Sequence, residues 1–282
     1  MAEMASNGKL TDKVVMITGA GRGLGREMAL ALAAEGAQLA IVDMDGEELQ
    51  QVAREIAAIG GSECVVPLGA DVSDPDSATT AVHYAANNFG RLDVLFNNAA
   101  IGPPAIAEDS FGKPPKFWEL NPHTFIRMID VNIAGPQVMA ATAVPYMLKN
   151  GWGRVINITT ALDAMYAPGM GAYGPSKAAL EAHTVVMAKD LGGTGVTANV
   201  LIPGGPANTR MIPEATGIPR DELIQPDAMR APAIWLASNE SDGHNGERFI
   251  AAHWDKGLEE ASAPCAWPQL GQQAILPSSI RR

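Results

Sequence analysis

Tyr173 and Lys177 lie four residues apart in a stretch, 172–191, whose alanine- and leucine-rich pattern reads as helix. Positions i and i+4 share a helix face, so the lysine ammonium would stand beside the tyrosine phenol. A cation at that range favours phenolate and is expected to lower the phenol from about 10 toward working pH. A phenol so tuned suits general acid/base work at a carbon that alternates between alcohol and ketone. The same pair also fits an ordinary solvated helix face, so its meaning depends on what the fold gathers around it.

A second group of residues points to a dinucleotide. Thr18-Gly19-Ala20-Gly21-Arg22-Gly23-Leu24-Gly25 stands between an apolar run at 14–18 and a helical pattern at 26–35. Glycines there permit positive φ and let backbone N–H groups come close to a pyrophosphate, which the helix N-terminus also favours. Asp43 closes the next apolar run, eighteen residues after Gly25, near the spacing of a ribose-binding carboxylate. It would accept from the adenosine ribose hydroxyls and repel a 2′-phosphate, which favours NAD over NADP. Arg22 argues the other way, since a basic residue in this loop could meet that phosphate. Asp45, not Asp43, is the better placed N-cap of the following helix.

These residues must be carried by an α/β framework. Apolar runs at 14–18, 39–42, 64–68, 92–96, 155–158 and 196–202 alternate with helical patterns at 26–35, 47–59, 76–89, 122–149 and 172–191. Continuous apolar strands between helices imply a single domain built on a doubly wound parallel sheet, the Rossmann arrangement, with helices on both faces. The expected division is a short leader at 1–9, a catalytic domain at 10–257 and a C-terminal extension at 258–282. Two long stretches, 101–122 and 203–226, follow strands at the edge where such sheets bind ligands and read as substrate loops.

Motifs in this order make the chain resemble the short-chain dehydrogenase/reductase family, of the single-domain type, over roughly residues 10–250. They are Thr18-Gly19-x-x-x-Gly23-x-Gly25, Asp71-Val72, Asn97-Asn98-Ala99-Ala100, Asn132, Tyr173-x-x-x-Lys177 and Pro203-Gly204. The resemblance implies that Gly19, Arg22, Gly23, Leu24 and Gly25 form the pyrophosphate loop and that Asp43 binds the ribose. Asp71 and Val72 would flank the adenine, and Asn98 and Ala99 would close the central strand beneath the cofactor. Tyr173 would exchange the substrate proton, and Lys177 would hold the nicotinamide ribose. Asn132 would help hold a water serving Lys177. The family's serine, thirteen residues before the tyrosine, is here Thr160, whose hydroxyl keeps the donor and acceptor while its methyl narrows the pocket. Pro203, Gly204 and Thr209 would meet the nicotinamide, Thr209 one residue later than usual. Ala100 replaces a common glycine, and the final strand runs into Phe249-Ile250-Ala251-Ala252 rather than Val-Asp-Gly-Gly.

The implied activity is reversible NAD(H)-dependent interconversion of a secondary alcohol and a ketone. Met165, Tyr166, Met170 and the 101–122 stretch suggest a fairly apolar or aromatic substrate. Two other readings are an NADPH-dependent reductase of a free or carrier-bound ketone, and a catalytically silent dinucleotide-binding scaffold. A net charge of −11 without a basic cluster speaks against nucleic acid and anionic membranes. No metal site is expected. Two cysteines are too few for a disulfide framework, and with no signal-like segment the expected compartment is the cytoplasm. Faces carrying Met139, Ala140, Ala143 and Met147, and Ala178, Ala179, Ala182 and Met187, suggest a homo-oligomer, a dimer or tetramer. Trp267, Leu270, Ile275 and Leu276 make the tail too apolar for a free end, and it is expected to lie across a subunit surface.

Overall fold

The structure, a computed structural model, describes residues 8–107 and 109–265. The apolar runs form parallel strands, buried in the middle of the sheet and half-buried at the edge strand β3: β1 Val14–Thr18, β2 Gln38–Asp43, β3 Val65–Gly69, β4 Val94–Asn97, β5 Gly153–Ile158, β6 Val196–Ile202 and β7 Glu247–Ile250. An eighth, β8 Ser262–Pro264, pairs antiparallel with β7, giving the order β3-β2-β1-β4-β5-β6-β7-β8. The helices are α1 Gly23–Ala34, α2 Gly46–Gly60, α3 Pro75–Phe89, α4 Pro122–Ile129, α5 Gly135–Asn150, α6 Leu162–Tyr166, α7 Tyr173–Asp190, α8 Arg230–Ala237 and α9 Leu258–Ala261. The doubly wound parallel sheet is therefore the fold, with β8 as an antiparallel addition that the sequence pattern did not announce.

Local chemistry sets the helix ends. Asp45 accepts from the Glu48 N–H at the start of α2, and Asp74 and Asn121 cap α3 and α4, each followed by a proline. Gly90 and Gly151 stop α3 and α5 in the left-handed region, at φ 78° and 69°. Alternation along β1 sends Val15 and Ile17 toward α1, α2 and α8, and Val14 and Met16 toward α3, α5 and α7. Each fully buried aliphatic side chain in these two layers contributes about 1.5–3 kcal/mol of transfer free energy.

Two expectations need correction. The helix expected over 122–149 is two helices joined by a π turn, Asp130–Ala134. Pro136 offers no N–H to the carbonyl four residues before it, that of Asn132, and the helix widens there. Met139, Ala140, Ala143 and Met147 do not form an outer face. They are buried within the chain's own second layer, among side chains of α3 and the sheet. The second expected face does reach the surface, with Ala179 exposed and Ala178, Ala182 and Met187 half-buried, and the exposed large apolar side chains of these helices are Phe125, Ile126, Leu148 and Val186. Both cysteines are free, Cys265 buried and Cys64 half-buried. Among the described residues no cluster suits a metal ion, and no helix is long and apolar enough to cross a membrane. Trp267, Leu270, Ile275 and Leu276 lie outside the described residues.

Candidate active site

Strand order reverses between β1 and β4, and at the carboxyl ends of these strands the helices diverge to leave a cleft of about 1340 Å³. The glycine loop forms its floor. Gly19 and Gly23 take φ of 65° and 54°, and a Cβ on Gly19 would lie 2.8 Å from the Ala99 Cα. A Cβ on Gly25 would lie 2.1 Å from the Gly19 carbonyl oxygen, so no larger residue fits without moving backbone. Asn98 locks the loop from the neighbouring strand: its Nδ2 donates to the carbonyls of Thr18 and Gly19, each at 2.9 Å. Thr18 returns the link, its Oγ1 accepting from the N–H groups of Asn98 and Ala99 at 3.0 Å. The result is a rigid concavity facing the N-terminus of α1, which fits a pyrophosphate.

Asp43 ends β2 beside this loop. Its carboxylate accepts from the backbone N–H of Gly21 at 2.9 Å and of Asp45 at 3.1 Å, so its direction is set before any ribose arrives. Arg22, the residue that could have met a 2′-phosphate, is turned to Glu48 at 2.8 Å. Arg210, from the 203–226 loop, reaches the other oxygen of Glu48 at 2.5 Å. Asp71 lines the cleft next to Val72 and pairs with Arg127 at 2.9 Å. Burial pushes its carboxyl up, but hydrogen bonds from Ser73 and Arg127 outweigh that and hold it below the ordinary carboxylate value.

The proposed chemistry groups meet on the other side. Tyr173 opens α7 and is 8% exposed, and its phenol is a neighbour of the Thr160 hydroxyl at the cleft wall. Lys177 lies one turn on, fully within the protein, its Nζ donating to the Ile158 carbonyl at 2.8 Å. The expected lowering of the phenol is not what this arrangement gives. Burial raises Tyr173 above the ordinary phenol value, and the neighbouring Thr160 hydroxyl offsets only part of it. Burial also drives the Lys177 ammonium down to about 8. Thr159, the neighbour of Thr160, also borders the cleft, but its hydroxyl is turned to buried Glu181, to which it donates at 3.2 Å.

Asn132 sits behind this group in the π turn, fully buried. Its Oδ1 accepts from the Ile101 N–H at 2.8 Å, and its Nδ2 donates to the Ile101 carbonyl and to Ser176 Oγ, both at 3.0 Å. Its side chain thus ties the entry of the 101–122 stretch to α7. Gly19, Arg22, Gly23, Leu24, Asp43, Asp71, Val72, Asn98, Ala99, Thr160, Tyr173, Lys177, Pro203 and Thr209 all line the cleft. Gly25, Asn132 and Gly204 stand behind it. On the substrate side Met170, Phe111 and Met211 line the cleft, whereas Met165 is buried beneath α7 and Tyr166 turns to solvent and donates to Asp163. Ser176, Thr18, Glu48, Arg127 and Arg210 were not singled out from the sequence. Of these only Thr18, inside the glycine motif, carried a signal there; the rest read as ordinary helix or loop polar residues.

Known proteins show the same organisation. The family described as short chain dehydrogenase matches residues 13–216. A short-chain type dehydrogenase/reductase of Picea abies is 35% identical over 203 residues, 69% of this chain and 71% of its own. The NAD(+) 2-dehydro-3-deoxy-L-rhamnonate dehydrogenase of a Sphingomonas species is 33% identical over 196 residues, 70% of this chain and 73% of its own. Among solved structures, the 3-ketoacyl-(acyl-carrier-protein) reductase of Brucella melitensis complexed with NADH superposes with a TM-score of 0.73. It is 28% identical, with 85% of this chain and 96% of that one covered.

Proposed function

The chain belongs to the short-chain dehydrogenase family, and within it we propose that it interconverts a secondary alcohol and a ketone with NAD(H) as partner. One observation carries the reading: a phenol and a threonine hydroxyl side by side at the wall of the cleft, with a buried ammonium one helical turn behind them. Bound NAD(H) would supply the hydride acceptor or donor. Thr160 and Tyr173 would hold the substrate oxygen between two hydroxyls, and Tyr173 would give it a proton or take one. Lys177 would hold a ribose hydroxyl at the same edge. Met170, Phe111 and Met211 present an apolar wall, which suits a fairly hydrophobic or aromatic substrate.

The direct test is a panel of cyclohexanone, acetophenone, 2-octanone and ethyl acetoacetate with the matching alcohols, each assayed with NAD(H) and NADP(H). Turnover with NAD(H) supports the proposal. Tight NADH binding with no turnover across a widened panel would favour the silent scaffold.

Within that assay, Thr160→Val keeps the side-chain shape and removes the hydroxyl. Turnover is expected to fall at least about tenfold with unchanged NADH affinity, because a buried oxygen loses a hydrogen-bond partner. Thr160→Ser should remain active. A fully active valine variant would remove Thr160 from the reaction.

Asp43 and the engaged state of Arg22 support NAD as the cofactor. Asp43→Ala is expected to weaken NADH binding and to narrow the NAD/NADP preference by about tenfold or more, since a fixed negative charge at the 2′ position is removed. A wild-type kcat/KM that favours NADPH overturns the cofactor assignment.

A further inference from the structure

We propose that Glu181 and Arg248 form a buried positioning pair that fixes the end of β5, and with it the direction of the Thr160 hydroxyl. The inference rests on the reading of Thr160 and Tyr173 as the pair that holds the substrate oxygen.

Tyr173, Lys177 and Glu181 stand four apart on α7 and present one stripe to three consecutive residues at the end of β5, from Ile158 to Thr160. Tyr173 meets the Thr160 hydroxyl, Lys177 the Ile158 carbonyl and Glu181 the Thr159 hydroxyl. Arg248, on β7, closes the set. Its Nη2 donates to the Thr160 carbonyl at 2.6 Å and to Glu181 Oε2 at 3.1 Å. Glu181 is fully buried and Arg248 is 5% exposed.

The geometry acts on orientation. Thr159 and Thr160 share a peptide, so holding the Thr159 side chain on Glu181 limits how far Thr160 can turn. The guanidinium on the Thr160 carbonyl removes the remaining freedom to turn that peptide. Stability alone explains the pair poorly. Two charges taken out of water gain little over apolar residues of the same volume, and the buried Arg248 Nε has no hydrogen-bond partner among the described residues. Charge-assisted bonds do give a short, directional hold, and misplacing a catalytic group by about 1 Å can cost about 10²-fold in rate.

The decisive variant is the apolar double substitution Glu181→Leu/Arg248→Met, assayed with whichever ketone of the panel turns over fastest. The expected result is a fold intact by circular dichroism, NADH affinity within about twofold of wild type, and kcat at least about tenfold lower. A crystal structure of the variant should show the Thr160 hydroxyl turned away from Tyr173. In the Thr160→Val background the double substitution should have little further effect, because both changes remove the same contact. An unchanged kcat, or an unmoved Thr160–Tyr173 contact, overturns the proposal, and so does an effect that simply adds to that of Thr160→Val. If Thr160→Val itself is fully active, the reading of Thr160 fails and takes this inference with it; if only the double variant keeps full activity, the inference alone fails. Should the double variant not fold, Arg248→Lys decides. It keeps a charge near Glu181, but its shorter stem leaves the ammonium short of the place where Nη2 reaches both partners, so kcat should drop at constant NADH affinity, and an unchanged kcat refutes the positioning role.

Discussion

Replacing Tyr173 with phenylalanine is expected to lower kcat by about 10²–10⁴-fold while NADH affinity and melting temperature stay close to wild type. The ring keeps its volume in a site that is 8% exposed, and only the hydroxyl that faces Thr160 is lost. Kinetics with the best panel substrate, NADH fluorescence titration and a thermal melt decide the matter together. A phenylalanine variant with more than about a tenth of wild-type kcat would mean that another group carries the proton. Burial holds the phenol above its ordinary value, so at neutral pH it carries its proton. That state serves ketone reduction at once, whereas alcohol oxidation first needs the proton removed. Oxidation kcat/KM should therefore climb with pH from 7 to 10, and reduction should be flat and then fall.

Lys177→Met should remove most turnover and yet act on stability in a pH-dependent way. The folded-state ammonium is driven by burial from 10.5 down to about 8. A lysine lowered on folding carries a cost while it is charged in both states, that is, below about pH 8. That cost is relieved as pH rises from about 8 toward 10.5, because the unfolded chain then holds the extra proton. Its full size is about 3 kcal/mol. Methionine escapes it but leaves the Ile158 carbonyl without its donor, which costs about 1–3 kcal/mol. The net change at pH 7 is thus small, but its trend with pH is not. The melting temperature of the variant relative to wild type should be highest near pH 7 and decline toward pH 10. A difference that stays flat across that range would show that the fold does not disfavour the ammonium.

The sequence carried the framework because the strands are continuous apolar runs and the loop glycines leave no other backbone route. Asp43, Tyr173 and Lys177 could be singled out by spacing, since strand ends and helix turns fix where such residues come to rest, whereas Thr160 rested on the resemblance to the family. What could not be read was environment. The helical pattern at 122–149 runs through Pro136 with no apolar gap, so the π turn that places Asn132 was invisible. Met139 and Met147 looked like an outer face because periodicity gives a stripe but not the layer it meets. The raised phenol follows from how deeply α7 is seated, a tertiary property. Glu181 and Arg248 are 67 residues apart, and each alone reads as a surface charge. Ser262-Ala263-Pro264 is too short and too weakly β-forming to announce a strand.

That last strand governs how the molecule meets its own kind. An uncapped β7 would offer a ready template onto which an extended segment of another chain could add. With β8 in place, the two outermost strands among the described residues are β3 and β8, of five and three residues, and each contains a proline, Pro67 and Pro264. A proline withholds one amide from any incoming strand, and a run of three residues gives such a strand little to grip. Among the described residues the sheet thus ends in short, proline-bearing strands on both sides, a margin that disfavours the edge-to-edge growth that turns open sheets into aggregates.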